Sequence, residues 1–131
     1  MIVLCVKAHS IIGEAMKARV IGFIPPVIGT ESSFNTFRLG SFYTKHLSVG
    51  EEVFLFNEKE KMVFGKAKVE AIESGKLGEM LLIHAHRNHT ELESEPDEAP
   101  AHLFDTLKRI YGPHIAGVDK KTTVVYLSRT E

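Results

Sequence analysis

A single cysteine, Cys5, stands in this chain of 131 residues. That excludes an internal disulfide framework and any zinc site built from several thiolates. Cys5 sits in the apolar run Ile2-Val3-Leu4-Cys5-Val6 and reads as a small buried hydrophobe. Long hydrophobic runs are missing as well, since none approaches the roughly 18 residues that a bilayer-spanning helix needs. The first residues hold no basic stretch followed by a small-residue cleavage site, so no signal peptide is expected; the expected location is cytoplasmic, with no membrane partner. Charge of one sign is scarce too. The 16 Lys and Arg residues meet 17 Asp and Glu, for a formal net charge of −1. That balance argues against tight, non-specific binding to long DNA. There are no internal repeats.

What is present fits one folded domain over residues 1–131. Hydrophobic residues make up 44% of the chain and charged ones 25%, which supports a buried core with an ordinary solvated surface. Residues 1–50 carry Lys7, Lys17, Arg19, Arg38 and Lys45 against Glu14 and Glu31, a local excess of positive charge that the rest of the chain reverses. A basic face of this kind suits one short RNA segment or a nucleotide.

Hydrophobic spacing divides the chain into short elements. Residues 2–6 read as a buried strand, and Ile11, Ile12, Ala15, Met16 and Val20 fall at helical spacing over 11–20. Pro25 and Pro26 stop what precedes them, and a loop over 27–33 follows. Residues 53–56 and 62–72 form two strands around the charged loop 57–61, with a bend expected at Gly65. A helix is expected over 79–88 and another over 103–111, the second ended by Gly112-Pro113. Between them Glu91, Glu93, Glu95, Asp97 and Glu98 predict a solvated, loosely packed loop. Residues 122–127 are strong β-formers and close the chain, sharing a sheet with the strand around Cys5. Strands joined by hairpins, with helices at the ends, predict an α+β fold around a small curled mixed sheet or β-barrel with peripheral helices.

The chemistry concentrates in Asn35–Gly50. Thr36 and Arg38 are two residues apart, so in an extended segment both side chains point to one face. A hydroxyl beside a guanidinium suits an anion or a planar polar group, and the pair is expected in a concave site. Phe42, Tyr43 and Lys45 follow, with Tyr43 the better candidate to stack on a base and Phe42 the better candidate for the core. Farther on, His84, His86 and His89 form H-x-H-x-x-H. Three imidazoles are a zinc-ligand set, but on a helix positions 84 and 86 diverge by about 200°, so the three do not converge. Instead His84 reads as a helix residue packed near the cleft, and His86, Arg87 and Asn88 as a polar rim that reads a base edge together with Thr36 and Arg38. No metal or cofactor is expected. The candidate ligand-binding residues are therefore Thr36, Arg38, Tyr43, Lys45, His86 and Asn88.

In this order the motifs resemble the ASCH domain family, a branch of the PUA-like β-barrel superfamily. Thr36-Phe37-Arg38 stands where that family has its Thr-x-Arg signature. His46 to Glu51 (HLSVGE) is similar to the segment entering the central hairpin, and Leu107 to Pro113 (LKRIYGP) to the helix end before a final Val-rich strand. Residues 95–102 look like a local insertion. The resemblance implies a PUA-like barrel with a cleft for RNA or a nucleotide-like ligand. It also implies an alternative, a small amidohydrolase acting on a modified nucleoside such as N4-acetylcytidine. That branch pairs the signature threonine, here Thr36, with a lysine three residues earlier and a glutamate on the first later helix. Here those positions hold Ser33 and Asn88. Serine does not supply a lysine's basicity, and Asn88 accepts no proton at neutral pH. Hydrolysis would need a rearranged set drawing on Lys45, His89 or Glu91. The two readings separate on one feature: a lysine or carboxylate within hydrogen-bond reach of the Thr36 hydroxyl favours the hydrolase.

Overall fold

Alternating burial along β-branched and aromatic runs organises the chain into one sheet. The computed structural model describes residues 19–131. The strand expected over 2–6, its pairing with the closing strand and most of the helix expected over 11–20 lie outside them. In chain order the elements are β1 (Val20–Phe23), β2 (Ser33–Leu39), α1 (Phe42–His46), β3 (Glu52–Asn57), β4 (Met62–Lys76), α2 (Leu77–His84), α3 (Ala99–Tyr111) and β5 (Lys121–Arg129). A single 3₁₀ turn, Ala85–Arg87, follows α2.

The strands lie in the order β1-β3-β4-β5-β2. β1 runs parallel to β3 and the other pairings are antiparallel, which makes the sheet mixed. Val20, expected at the end of a helix, instead pairs with Phe54 of β3. Ladder pairing in the sheet overrides a weak helical period. β4 is 15 residues long and pairs with β3 through its first half and with β5 from Ala67 onward. Register shifts at Leu55/Phe56 and at Val69/Ala71 bend the ladders. Such bulges raise the local twist and curl the sheet into a half-barrel. The bend expected at Gly65 falls at the first of them, where a side chain would run into the Arg129 guanidinium.

That guanidinium braces the curl. Arg129 Nη1 donates to the Thr30 carbonyl at 2.7 Å, Nη2 to the Phe64 carbonyl at 2.8 Å and Nε to the Glu131 carbonyl at 2.7 Å.

The period of two along the strands gives the sheet two apolar faces. Inside the curl lie Ile21, Phe23, Phe34, Leu55, Val125 and Leu127. On the opposite face Phe37 and Val124 meet Leu77 and Leu81 of α2 and Leu103 and Leu107 of α3. α3 buries Ala99, Leu103 and Leu107, four residues apart, as one stripe. It starts four residues earlier than the helical period implied, with Pro100 in its first turn, and ends at Gly112, whose φ of 90° stops the helix. No helix among the described residues is long and apolar enough to cross a membrane.

Two substitutions calibrate this arrangement. Leu127→Ala, in the fully buried inner face, is expected to lower the unfolding free energy by about 2–5 kcal/mol. Leu82→Ala, at a position 77% exposed on α2, is expected to change it by less than about 0.5 kcal/mol. Urea titrations of the two variants measure the contrast.

Candidate functional site

Thr36 and Arg38 lie on β2 two residues apart and therefore share a side of the strand. Thr36 is buried and Arg38 is half-buried. Arg38 Nε donates to Thr36 Oγ1 at 3.1 Å, and its Cζ stands 5.0 Å from the centroid of the Phe23 ring. One hydrogen bond and one aromatic face thus fix the guanidinium plane and leave its two terminal nitrogens to other acceptors. Both residues line a cleft of about 360 Å³, within the range of small-molecule sites. Its walls are the end of β1 and the loop after it, the middle of β2, residues 88–90, and α3 from His102 to its end.

The segment that follows α2 forms the wall facing β2. A helix through residue 88 was the expectation, but α2 ends at His84 and one 3₁₀ turn leads to Asn88 in extended conformation. The cause lies 49 residues upstream. Asn35 Nδ2 donates to the His84 carbonyl at 2.9 Å and closes the helix end. Asn35 then bridges to Asn88, and His89 N–H donates to the Asn35 carbonyl at 3.1 Å. This short parallel contact turns Asn88 and His89 toward the cleft. Asn35 Oδ1 is enclosed without a hydrogen-bond partner among the described residues.

His89 is held on three sides. Its ring meets Phe23 edge to face at 5.0 Å and Phe34 at 6.1 Å. Its Nδ1 lies 3.0 Å from the Ile28 carbonyl. A carbonyl only accepts, so Nδ1 carries the proton and Nε2 presents a lone pair. Burial pushes the His89 pKa down to about 4, with the Arg38 charge acting in the same direction, against the raising effects of the Ile28 carbonyl and Glu91. The imidazole is neutral at physiological pH. Gly29, at φ 71°, lies so close behind it that a side chain there would run into the His89 carbonyl oxygen.

Beneath this wall sits Glu91, fully buried. The acidic run was expected to be solvated throughout. Its first member is instead held by Thr90 Oγ1 at 2.8 Å, Ser94 Oγ at 3.0 Å and His102 Nδ1 at 2.8 Å from both carboxylate oxygens. Three donors satisfy the carboxylate, which is how a buried charge is tolerated. The run folds into successive turns whose other acidic members, Glu93, Glu95, Asp97 and Glu98, face solvent as expected.

Of the six candidate residues, Thr36, Arg38 and Asn88 line the cleft. Tyr43, Lys45 and His86 are not among its lining residues. The extended conformation assumed for 35–50 ends at Leu39, and residues 42–46 form a helix instead. Tyr43 packs against the inner core, and its hydroxyl donates to the Val20 carbonyl at 3.2 Å. Burial raises its phenol pKa, partly offset by the Arg38 charge. Lys45 and His86 are exposed, Lys45 on α1 and His86 on the 3₁₀ turn. The three histidines of H-x-H-x-x-H go separate ways. His84 Nδ1 meets the Tyr126 hydroxyl at 2.6 Å, burial lowers its pKa, and His89 turns into the cleft. Among the described residues no cluster of three or more His, Cys, Asp or Glu is disposed to hold a metal ion.

Sequence reasoning missed Phe23, Arg109 and Tyr111, all of which line the cleft. Arg109 and Tyr111 belong to a helix end that the Gly112-Pro113 signal does place; what it does not tell is that this end meets β1 and β2. The lining holds Arg38 and Arg109 and no Asp or Glu, so the described walls favour an anionic ligand.

Two measurements check this geometry. An imidazole whose folded pKa lies below its unfolded value leaves the unfolded chain holding more protons between pH 4 and 6.5, so stability falls as pH drops through that window. The urea midpoint is expected to fall from pH 6.5 to 4, and His89→Phe is expected to flatten that part of the profile. Gly29→Ala is expected to destabilise the fold by about 1 kcal/mol or more, through its positive φ and the clash with the His89 carbonyl.

No family model matches the sequence, and no curated protein does either. Solved structures do share its fold. The hypothetical protein PH0355 is 15% identical, with 85% of this chain and 97% of its own covered at a TM-score of 0.55. Protein EF3133 from Enterococcus faecalis V583, which carries the family designation DUF984, is 8% identical, with 78% and 62% covered at 0.51. An ASCH domain from Lactobacillus crispatus JV V101 is 10% identical, with 77% and 65% covered at 0.47. At such identities the likeness speaks for the fold alone. What the chain shares with PH0355 and EF3133 is the α+β fold itself, a curled mixed sheet of five strands with helices between β4 and β5.

Proposed function

We propose that this chain is a binding module that takes one nucleotide unit, free or within single-stranded RNA, into the cleft around Thr36 and Arg38. The observation that carries this reading is the Arg38 guanidinium. Its Nε is engaged by Thr36 and its plane rests near Phe23, so its terminal N–H groups are oriented for a ligand before one arrives. Arg38 and Arg109 suit a phosphate, and the apolar stretch of Ile24, Pro25, Pro26 and Ile28 suits the faces of a base. Tyr111, which lines the cleft where Tyr43 does not, takes the stacking role.

Binding is favoured over hydrolysis by the surroundings of Thr36. Among the described residues its hydroxyl has one side-chain partner, Arg38, and neither a lysine nor a carboxylate is hydrogen-bonded to it. Ser33, at the position where the resemblance has a lysine, is exposed at the start of β2. An arginine remains protonated at any physiological pH and takes no proton from a threonine.

Calorimetric titration with cytidine 5′-monophosphate and with a short single-stranded RNA tests the reading and separates the free nucleotide from the polymer. Arg38→Ala is expected to weaken binding by about 1.5–3 kcal/mol while the fold survives. Thr36→Ala is expected to cost less, about 0.5–1.5 kcal/mol. Because Thr36 orients Arg38, the double variant is expected to lose less than the two single losses combined. Turnover of an N4-acylated cytidine by the wild type, abolished in Thr36→Ala with binding intact, would instead establish the hydrolase.

A further inference from the structure

Two consecutive residues on the wall facing β2 each present a hydrogen-bond acceptor. In His89 the acceptor is Nε2, because Nδ1–H is committed to the Ile28 carbonyl. In Asn88 it is Oδ1, and the assignment follows from a relay that starts at the buried carboxylate. Glu91 only accepts, so the Thr90 hydroxyl, 2.8 Å from Glu91 Oε2, gives its proton there. Thr90 Oγ1 can then only accept from its other neighbour, so the Asn88 atom 2.8 Å away is the Nδ2 donor. The amide orientation is thereby fixed and Oδ1 points the other way.

Neither acceptor has a hydrogen-bond partner among the described residues. The one enclosed side-chain polar atom without a partner there is Asn35 Oδ1; Asn88, buried, and His89, half-buried, both line the cleft. The opposite wall carries the donors. Arg38 Cζ and the His89 ring centroid each stand 5.0 Å from the centroid of Phe23. One phenyl ring therefore anchors the donor side and the acceptor side together.

We propose that Asn88 and His89 form a paired acceptor for a primary amino group on a nucleobase, which restricts the cleft to nucleotides whose base carries an exocyclic NH₂. The inference rests on the nucleotide-binding reading and adds what the base must offer. A primary aromatic amine has two N–H donors and satisfies both acceptors. The imide N–H of a uracil-type base satisfies one and leaves the other facing a carbonyl oxygen. An unpaired acceptor in a desolvated site is what turns a missing donor into a large loss of affinity. An alkylammonium also offers several donors, but Arg38 and Arg109 oppose a cation. The ring nitrogen beside the amino group, as in cytosine or adenine, accepts from the Arg38 side. His89 stays an unprotonated acceptor throughout the physiological range.

The test compares ligands that differ only in the amino group. Cytidine 5′-monophosphate is titrated against its 4-deamino analogue, the pyrimidin-2-one riboside monophosphate, and adenosine 5′-monophosphate against purine riboside monophosphate. Removing the amino group is expected to weaken binding to the wild type about tenfold or more, the size of two lost hydrogen bonds. His89→Phe keeps an aromatic ring against Phe23 and Phe34 and removes the Nε2 acceptor; it is expected to shrink that gap to about threefold. Thr90→Val removes the group that orients Asn88 and is expected to shrink it too, while a phosphate-dependent contribution from Arg38 persists in both variants. Equal binding of amino and deamino ligands by the wild type overturns the inference and leaves nucleotide binding standing. So does an undiminished gap in a folded His89→Phe. If the wild type binds no nucleotide of either kind, the proposed function falls and this inference falls with it.

Discussion

Everything near the cleft depends on the contact that Asn35 makes across the face of β2. Its side-chain amide closes the end of α2, and its backbone bridges to Asn88 and takes the His89 amide proton. Without that contact a helix over 79–88 has no reason to stop at His84. Continued to residue 88, it would carry Asn88 and His89 round the helix axis rather than along the edge of β2. Because Asn35 alternates with Thr36 and Arg38 along the strand, the strand period puts the bracing group on one face and the ligand-facing groups on the other. β2 therefore positions both walls of the site, one through its own side chains and one through what it clasps.

The second support is electrostatic. A carboxylate with no exposure is costly unless every lone pair is used, and Glu91 has donors from Thr90, Ser94 and His102. His102 belongs to α3, so the carboxylate ties the loop after α2 to the helix that forms the far wall. The same charge sets the direction of the Thr90 hydroxyl and, through it, of the Asn88 amide. The loop keeps its shape through one buried group, and its remaining acidic residues face water.

β3, β4 and β5 were legible because each is a run of β-formers bounded by turn residues, and the strands expected over 53–56, 62–72 and 122–127 fall within them, whereas β1 was hidden behind a helical period ending at Val20. Thr36 and Arg38 were legible as a pair because a period of two needs only local geometry. Asn88 was legible as part of a polar rim with His86 and Arg87, of which Asn88 alone lines the cleft. What escaped was set by partners distant in the chain. A buried Glu91 inside a run of acids looks like its exposed siblings until His102 is known to lie against it. Tyr43 and Lys45 were placed on an extended stretch, where Gly40, at a φ of 96°, ends the strand and a one-turn helix begins. Arg109 and Tyr111 have no local mark of function, since helix ends with a basic residue and an aromatic are commonplace. Their role comes from where α3 stops.

The Arg129 brace has a bearing on which exchanges the fold tolerates. Its three nitrogens reach carbonyls contributed by the chain before β2, by β4 and by the C-terminal residue, all in one plane. An ammonium has the same charge and a comparable reach, but its three protons diverge from a single point in a tetrahedral cone. It can hold one of those segments, at most two, and never three spread across a flat fork. Substitution scales rank lysine among the mildest replacements for arginine; at this position charge is incidental and shape is what is conserved in the exchange or lost.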